Sequence, residues 1–230
     1  MAWHCSASTN AQLIANMVDA KIITSDRVRT AMLSIDRANF EPPRADPYED
    51  SPQVLGHGAT ISAPHMHAMC LELLEPYLQP GASALDVGSG SGYLTAAMAA
   101  LVGEQGHVVG IEHVAELTET SIANLAKQPA PPHVIKICTM LTGDGRLGFP
   151  DRAPFRAIHV GAAADRIPDA LLNQLAIGGR LVVPVGPAGG EQTLDCIDRL
   201  GEREFKRVTV SGVRYVPLTS LETQMNGHQA

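Results

Sequence analysis

Cysteine is scarce in this chain. The four present, Cys5, Cys70, Cys138 and Cys196, are widely scattered and form no C-x-x-C pair, which excludes a disulfide framework. Cys70, Cys138 and Cys196 fall within apolar periodic segments, where buried free thiols are expected. Runs of lysine or arginine are missing too, and the formal net charge is −7, so the electrostatic footprint of a nucleic-acid binder is lacking. No apolar stretch is long enough to span a bilayer. The opening Met1-Ala2-Trp3-His4-Cys5 lacks the charged-then-apolar order of a signal sequence. A soluble protein of a reducing compartment, the cytosol, is the expectation. Internal repeats and low-complexity tracts are also missing. What remains is a chain of 230 residues, 45% hydrophobic, the size of one domain with a substantial core.

Hydrophobic spacing divides that chain in two. Over residues 1–80 the pattern is helical. Leu13, Ile14, Met17 and Val18 mark a first helix, and Ser25-Asp26 can cap a second that carries Val28, Ala31, Met32 and Ile35. Prolines and acids over residues 41–52 make a loop. Met66, Met69, Cys70, Leu73, Leu74, Tyr77 and Leu78 then form the apolar stripe of a third helix. Over residues 81–230 strands and helices alternate, which predicts an α/β fold, a doubly wound and mostly parallel sheet. Its strands are read at Ala84-Leu85-Asp86-Val87, residues 106–112, His133-Val134-Ile135-Lys136-Ile137-Cys138, residues 156–160 and residues 179–185, with a helix over 168–176. Segments 193–200 and 205–216 have no crossover helix between them, so they should pair antiparallel at the sheet edge.

The first of these strands runs into Gly88-Ser89-Gly90-Ser91-Gly92. A strand, a glycine loop and a helix together make a ligand crevice at the carboxyl edge of an open sheet. The dinucleotide fingerprint wants a third glycine where Tyr93 stands, and Asp86 would repel a pyrophosphate but attract a cation. S-adenosylmethionine, with a sulfonium, an ammonium and no phosphate, suits the loop better than a dinucleotide; a purely structural turn is the third reading. Glu112 ends the second strand about 20 residues past the loop, where an acid can accept from two ribose hydroxyls, or stand as a solvated charge. Asp144 could accept from an adenine amino group with Gly145 beside it, although D-G is also an ordinary turn pair. Ser62 lies two residues before Pro64 and is a candidate N-cap. The same helix N-terminus could seat a carboxylate.

Ala59-Thr60-Ile61-Ser62-Ala63-Pro64-His65-Met66-His67-Ala68, taken with residues 85–92, resembles the protein-L-isoaspartate (D-aspartate) O-methyltransferase family. Met1-Ala2-Trp3, Asp50-Ser51-Pro52-Gln53, residues 158–164, 178–190 and 215–219 are similar to its eukaryotic form. The resemblance implies a repair enzyme that moves a methyl group from S-adenosylmethionine to the free α-carboxylate of an L-isoaspartyl residue, and of a D-aspartyl residue as a further substrate. S-adenosylhomocysteine is the co-product, and the methyl ester cyclises to a succinimide. It also implies Ser62 as the active-site serine, with cofactor-binding positions at Ala59, Thr60, Ile61, Ser62, His67, Asp86, Gly88, Ser89, Gly90, Glu112, Asp144, Gly145, Thr219 and Gln224.

Three residues depart from the family pattern: Glu112 stands where Asp is common, Arg156 where Asp is usual, and His57 where an apolar residue is expected. His65 and His67 invite a metal reading, but side chains two apart on a helix point about 200° apart, and no metal is expected. The partners expected are isoaspartyl-bearing proteins and peptides, met by a monomer, with no nucleic acid or membrane. Two rival readings are a small-molecule methyltransferase and a cofactor-binding adaptor. Adaptor relatives carry a long C-terminal extension, whereas about a dozen residues follow Pro217 here.

Overall fold

Capping and apolar spacing together start the first two helices of the computed structural model, which describes residues 5–43, 45–127 and 130–226. The Met1-Ala2-Trp3 match lies outside the described residues. Helix α1 (Asn10–Asp19) begins at Thr9, whose hydroxyl accepts from the Gln12 N–H, and α2 (Asp26–Ser34) begins at Ser25, which accepts from the N–H groups of Arg27 and Val28. Leu13, Ile14, Met17, Val28 and Met32 turn inward from these helices into the larger of two apolar clusters. After the turn-rich residues 41–52 comes a hairpin that apolar periodicity did not reveal. Its strands are β1 (Gln53–Gly56) and β2 (Ala59–Ile61), antiparallel, with all of Gly56, His57 and Gly58 at positive φ in the turn. Helix α3 (Pro64–Leu74) follows and buries Ala68, Cys70, Leu71 and Leu74.

The remaining strands form one seven-stranded sheet. They are β3 (Ser83–Val87), β4 (His107–Glu112), β5 (Cys138–Thr142), β6 (Phe155–Val160), β7 (Leu175–Val185), β8 (Gln192–Arg199) and β9 (Phe205–Val213), in the order β5-β4-β3-β6-β7-β8-β9. The first five run parallel, and β8 and β9 complete the edge antiparallel. Helices α4 (Tyr93–Val102), α5 (Ala115–Leu125) and α7 (Asp169–Gln174) are the crossovers. The fold class is the one expected from the alternation of strands and helices.

The strand read at residues 133–138 is a correction. Residues 133–137 belong to helix α6 (Pro132–Ile137), and the strand is the next segment, β5, which begins at Cys138 and pairs with β4 from Val108↔Cys138 to Glu112↔Thr142. The β-branched run looked extended, but Pro132 occupies the first helical turn, where its missing N–H costs nothing. Val134 and Ile137, three apart, then face inward while Ile135 is exposed. Smaller shifts also occur. Helix α7 is shorter than residues 168–176 because β7 begins at Leu175, and β9 ends at Val213 rather than 216.

Helix α4 starts directly after Gly92, which sits at φ +84°, a left-handed conformation; a Cβ there would come 3.1 Å from the Ser121 Cβ. Gly92→Ala is expected to lower stability by about 1–2 kcal/mol, measurable as a reduced midpoint in urea denaturation at unchanged slope.

Candidate active site

Residues far apart in sequence meet at the carboxyl ends of β3, β4, β5 and β6. A cleft of ≈ 570 Å³ runs there past the hairpin strand β2, with Gly88, Gly90, Glu112, Asp144, Thr219 and Gln224 among its walls. Its volume is in the range of small-molecule sites. A narrower lobe leads inward past Ile61, Ser62, His67, Asp86 and Ser89, and a third of ≈ 620 Å³ opens on the other side of Ser62 toward Met66 and Tyr215. Thr60 and Gly161 line all three lobes, and Ser62 stands between the second and third. All the residues named from the sequence as cofactor-binding line the first two lobes, Ala59 and Gly145 included.

The three acidic side chains have distinct settings. Asp86 is 1% exposed. It accepts from the Thr95 hydroxyl at 2.6 Å and from His159 Nδ1 at 2.8 Å, its register partner on β6. Its charge thus meets an imidazole inside the protein, a partner that the sequence reading did not name. Glu112 uses its oxygens to accept from the N–H groups of Gly90 at 3.0 Å and Val114 at 3.1 Å, tying the glycine loop to the end of β4. Asp144 is held by Arg146 through contacts of 2.7–3.1 Å, and that guanidinium keeps its carboxyl below the usual range. Each carboxylate retains lone pairs for a further donor. Ser89 Oγ is buried beside the narrow lobe with no hydrogen-bond partner among the described residues, an orphan that a polar ligand would satisfy. This donor and acceptor set fits a cationic nucleoside.

Ser62 does not cap α3. Ala63 occupies the N-cap position without a side-chain bond, Pro64 has no N–H, and the His65 N–H donates to Asp50 Oδ1 at 3.0 Å. Asp50 also takes His65 Nδ1 at 2.7 Å. The helix N-terminus is therefore already occupied by a carboxylate of the protein itself, and it is not a seat for a substrate's. What positions Ser62 is Arg37, a residue the sequence did not single out. Arg37 is 1% exposed; it donates to the Ser62 carbonyl at 2.8 Å and to His67 Nδ1 at 3.0 Å, and lies 2.7 Å from Glu41 Oε1. An arginine has no acceptor, so His67 Nδ1 must accept and its proton sits on Nε2. Burial, with Arg37 close by, pulls the His67 pKa far down, so this imidazole is neutral. His65 and His67 are thereby committed to different partners. The Arg37–Glu41 spacing of four was the available sequence signal.

Tyr93, at the position of the fingerprint's missing glycine, turns away from the loop and packs against Phe40 and His67 at ring-centroid distances of 5.6 and 5.1 Å. The hydroxyl of Tyr215 interacts with the side chains of Ser62 and Cys70, and burial keeps it protonated well above its ordinary range. Gln224 bridges the cleft mouth, donating to the His57 carbonyl at 2.7 Å and bonding His113 Nε2 at 2.9 Å. Arg156 is exposed and donates to the Ile177 carbonyl at 3.2 Å, away from the cleft.

Two outcomes follow from these buried charges. Arg37→Met alone strands Glu41 in the interior and should cost about 3–5 kcal/mol in urea denaturation, while adding Glu41→Leu should restore part of that loss. Burial draws His159 down, but Asp86 and Cys70 outweigh it and hold its pKa up at about 10, above the ordinary 6.5. The pair's contribution to stability is therefore full below about pH 6.5 and is lost as pH rises through about 10. Thermal unfolding across that window should show a decline that His159→Gln lacks.

The chain matches the family described as protein-L-isoaspartate(D-aspartate) O-methyltransferase over residues 8–223. It is 49% identical over 226 residues to the protein-L-isoaspartate O-methyltransferase of Caenorhabditis elegans, covering 98% of this chain and 99% of that one. Against protein-L-isoaspartate O-methyltransferase 1 of Arabidopsis thaliana the identity is 47%, with 96% of each chain covered. A Plasmodium falciparum structure of a protein of that name, in complex with S-adenosyl-L-homocysteine, superposes with a TM-score of 0.83 at 33% identity, over 93% of this chain and 99% of that one. Whole-length similarity of this kind, on a cleft built as described, places the chain in the protein-L-isoaspartate (D-aspartate) O-methyltransferase family.

Proposed function

We infer that this chain transfers a methyl group from S-adenosylmethionine to the free α-carboxylate of L-isoaspartyl residues in proteins and peptides. The observation that carries the reading is the place of Ser62, at the junction of the glycine-loop lobes with the open lobe. Gly88, Ser89, Gly90, Glu112, Asp144, Gly145, Thr219 and Gln224 would hold the cofactor, with Ala59, Thr60 and Ile61 on its hairpin side. When bound, S-adenosylmethionine supplies an electrophilic methyl group on a sulfonium.

The chain's own part is orientation and desolvation. An isoaspartyl carboxylate is already ionised near neutral pH, so no general base is required. Ser62 Oγ donates to one carboxylate oxygen and leaves the other free to react. Arg37 holds the Ser62 backbone, and Tyr215 lines the same lobe beside it. Neutral His67 adds no positive charge to the lobe where a sulfonium must sit, and Asp86 with His159 stiffens the wall behind it. Apolar Ala63, Met66 and Val216 keep water from the acceptor side. Orientation of this kind supplies up to about 7–11 kcal/mol in the best intramolecular cases. The ester then cyclises to succinimide, since methoxide leaves more readily than hydroxide.

The reading includes a monomer acting in the cytosol. A protein substrate needs open access to the cleft, and a net charge of −7 offers a nucleic acid no attraction. Labelled S-adenosylmethionine offered with paired peptides should label the isoaspartyl member and not the aspartyl one; equal labelling of both, or of neither, contradicts the assignment. Ser62→Ala should lower kcat at least about tenfold, the loss of one oriented hydrogen bond. S-adenosylhomocysteine affinity, measured by calorimetry, should change little.

A further inference from the structure

Among the described residues, the open lobe beyond Ser62 carries one charged side chain on its lining, Arg214. Arg214 directly follows β9 and is exposed. Among the described residues it makes no ion pair and no side-chain hydrogen bond. That sets it apart from the arginines of the neighbouring strands. Arg180 holds Asp198 at 2.6 and 2.8 Å, Arg207 holds Asp195, and Arg199 donates to the carbonyls of Asn173 and Leu175. Glu191, one register position beyond the Gln192↔Val213 pair, shares a surface groove with Arg214 but forms no ion pair with it.

The backbone at this point is fixed. The buried Gln192 side chain accepts from the Tyr215 N–H at 2.7 Å and donates to the Tyr215 carbonyl at 3.2 Å. The next turn of chain is pinned by bonds between Ala163 and both Val216 and Leu218. A rigid backbone therefore presents a free guanidinium to the lobe that admits the methyl acceptor.

A guanidinium matches a carboxylate, and an isoaspartyl peptide can offer more than one. Methyl transfer cancels the acceptor's negative charge, so a cation bonded to the reacting oxygens would stabilise the reactant more than the transition state and slow the reaction. The useful target for Arg214 is a carboxylate that does not react.

We propose that Arg214 is a specificity-determining residue that seats a second carboxylate of the substrate, an acidic side chain flanking the isoaspartyl residue, while Ser62 orients the one that is methylated. The proposal rests on the methyltransferase reading above.

Methyl transfer to isoaspartyl peptides carrying Glu or Lys at the residue before or after the isoaspartate tests it, with the ratio of KM values for Lys and Glu peptides taken within each protein. The wild-type protein should favour Glu by about two- to fivefold in KM at one of the two positions, with the preference narrowing as salt rises. Arg214→Lys should keep the preference, Arg214→Ala should abolish it, and Arg214→Glu should invert it. Because each ratio is internal to one variant, any loss of stability cancels. A wild-type ratio of one or below at both positions, or a preference that survives in Arg214→Glu, overturns the proposal. If the wild-type protein methylates no isoaspartyl peptide, the functional reading fails and this one with it; methylation without charge preference defeats this proposal alone.

Discussion

A guanidinium sealed from solvent imposes its bonding demands on everything around it, and Arg37 does so where the helical N-terminal segment meets the sheet. Its terminal nitrogens must find acceptors or the burial becomes unaffordable. The acceptors are the Ser62 carbonyl and His67 Nδ1, the Glu41 carboxylate is the ion-pair partner at 2.7 Å, and the cation lies 5.4 Å from the Tyr93 ring centroid. These partners come from the loop after α2, the entry to α3 and the first residue of α4. One buried charge thereby holds three separate segments in fixed relation, and the serine that faces the acceptor lobe is among them. The same contact decides the state of His67, because an arginine can only donate.

The acidic groups at the strand ends follow a related logic. Asp86 is balanced by His159 deep in the sheet, Glu112 by two backbone N–H groups, and Asp144 by Arg146 at the more open end. Each carboxylate is held by protein donors, which tie the glycine loop and the strand ends to one another. On the acceptor side the pattern is reversed. That lobe is largely apolar, and among the described residues its one charged group is Arg214, a cation with no ion-pair partner. The two ends of the cleft are thus suited to unlike charges, anionic walls for a cationic nucleoside and a cation for an anionic peptide.

Much of this architecture could be read from residues in order. The alternation of apolar runs with helical stripes predicts the parallel sheet, and Ser25 caps α2 as its residue type requires. Segment 133–138 misled because a short run with four apolar residues, Val134, Ile135, Ile137 and Cys138, satisfies a strand or a short helix equally, and only packing of Val134 and Ile137 beneath the sheet edge decides between them. The hairpin at 53–61 escaped notice because its strands are only four and three residues long, with Val54 and Thr60 turned to solvent. Ser62 looked like a cap because nothing in the local sequence announces that Asp50, fifteen residues before His65, supplies the acceptor for the His65 N–H, the first free one of α3.

By itself the sequence determined what depends on local spacing and residue chemistry: the strand–glycine–helix unit, the acids at successive strand ends, the apolar faces, and the segment around Ser62. Tertiary structure alone decided which of those groups touch. His159 lies 73 positions from Asp86 and becomes its partner only because β6 inserts beside β3. Arg37 reaches Ser62 only because the N-terminal helices fold back over α4. Charge pairing across such separations is a product of strand order and burial, neither of which is written in the spacing of residues along the chain.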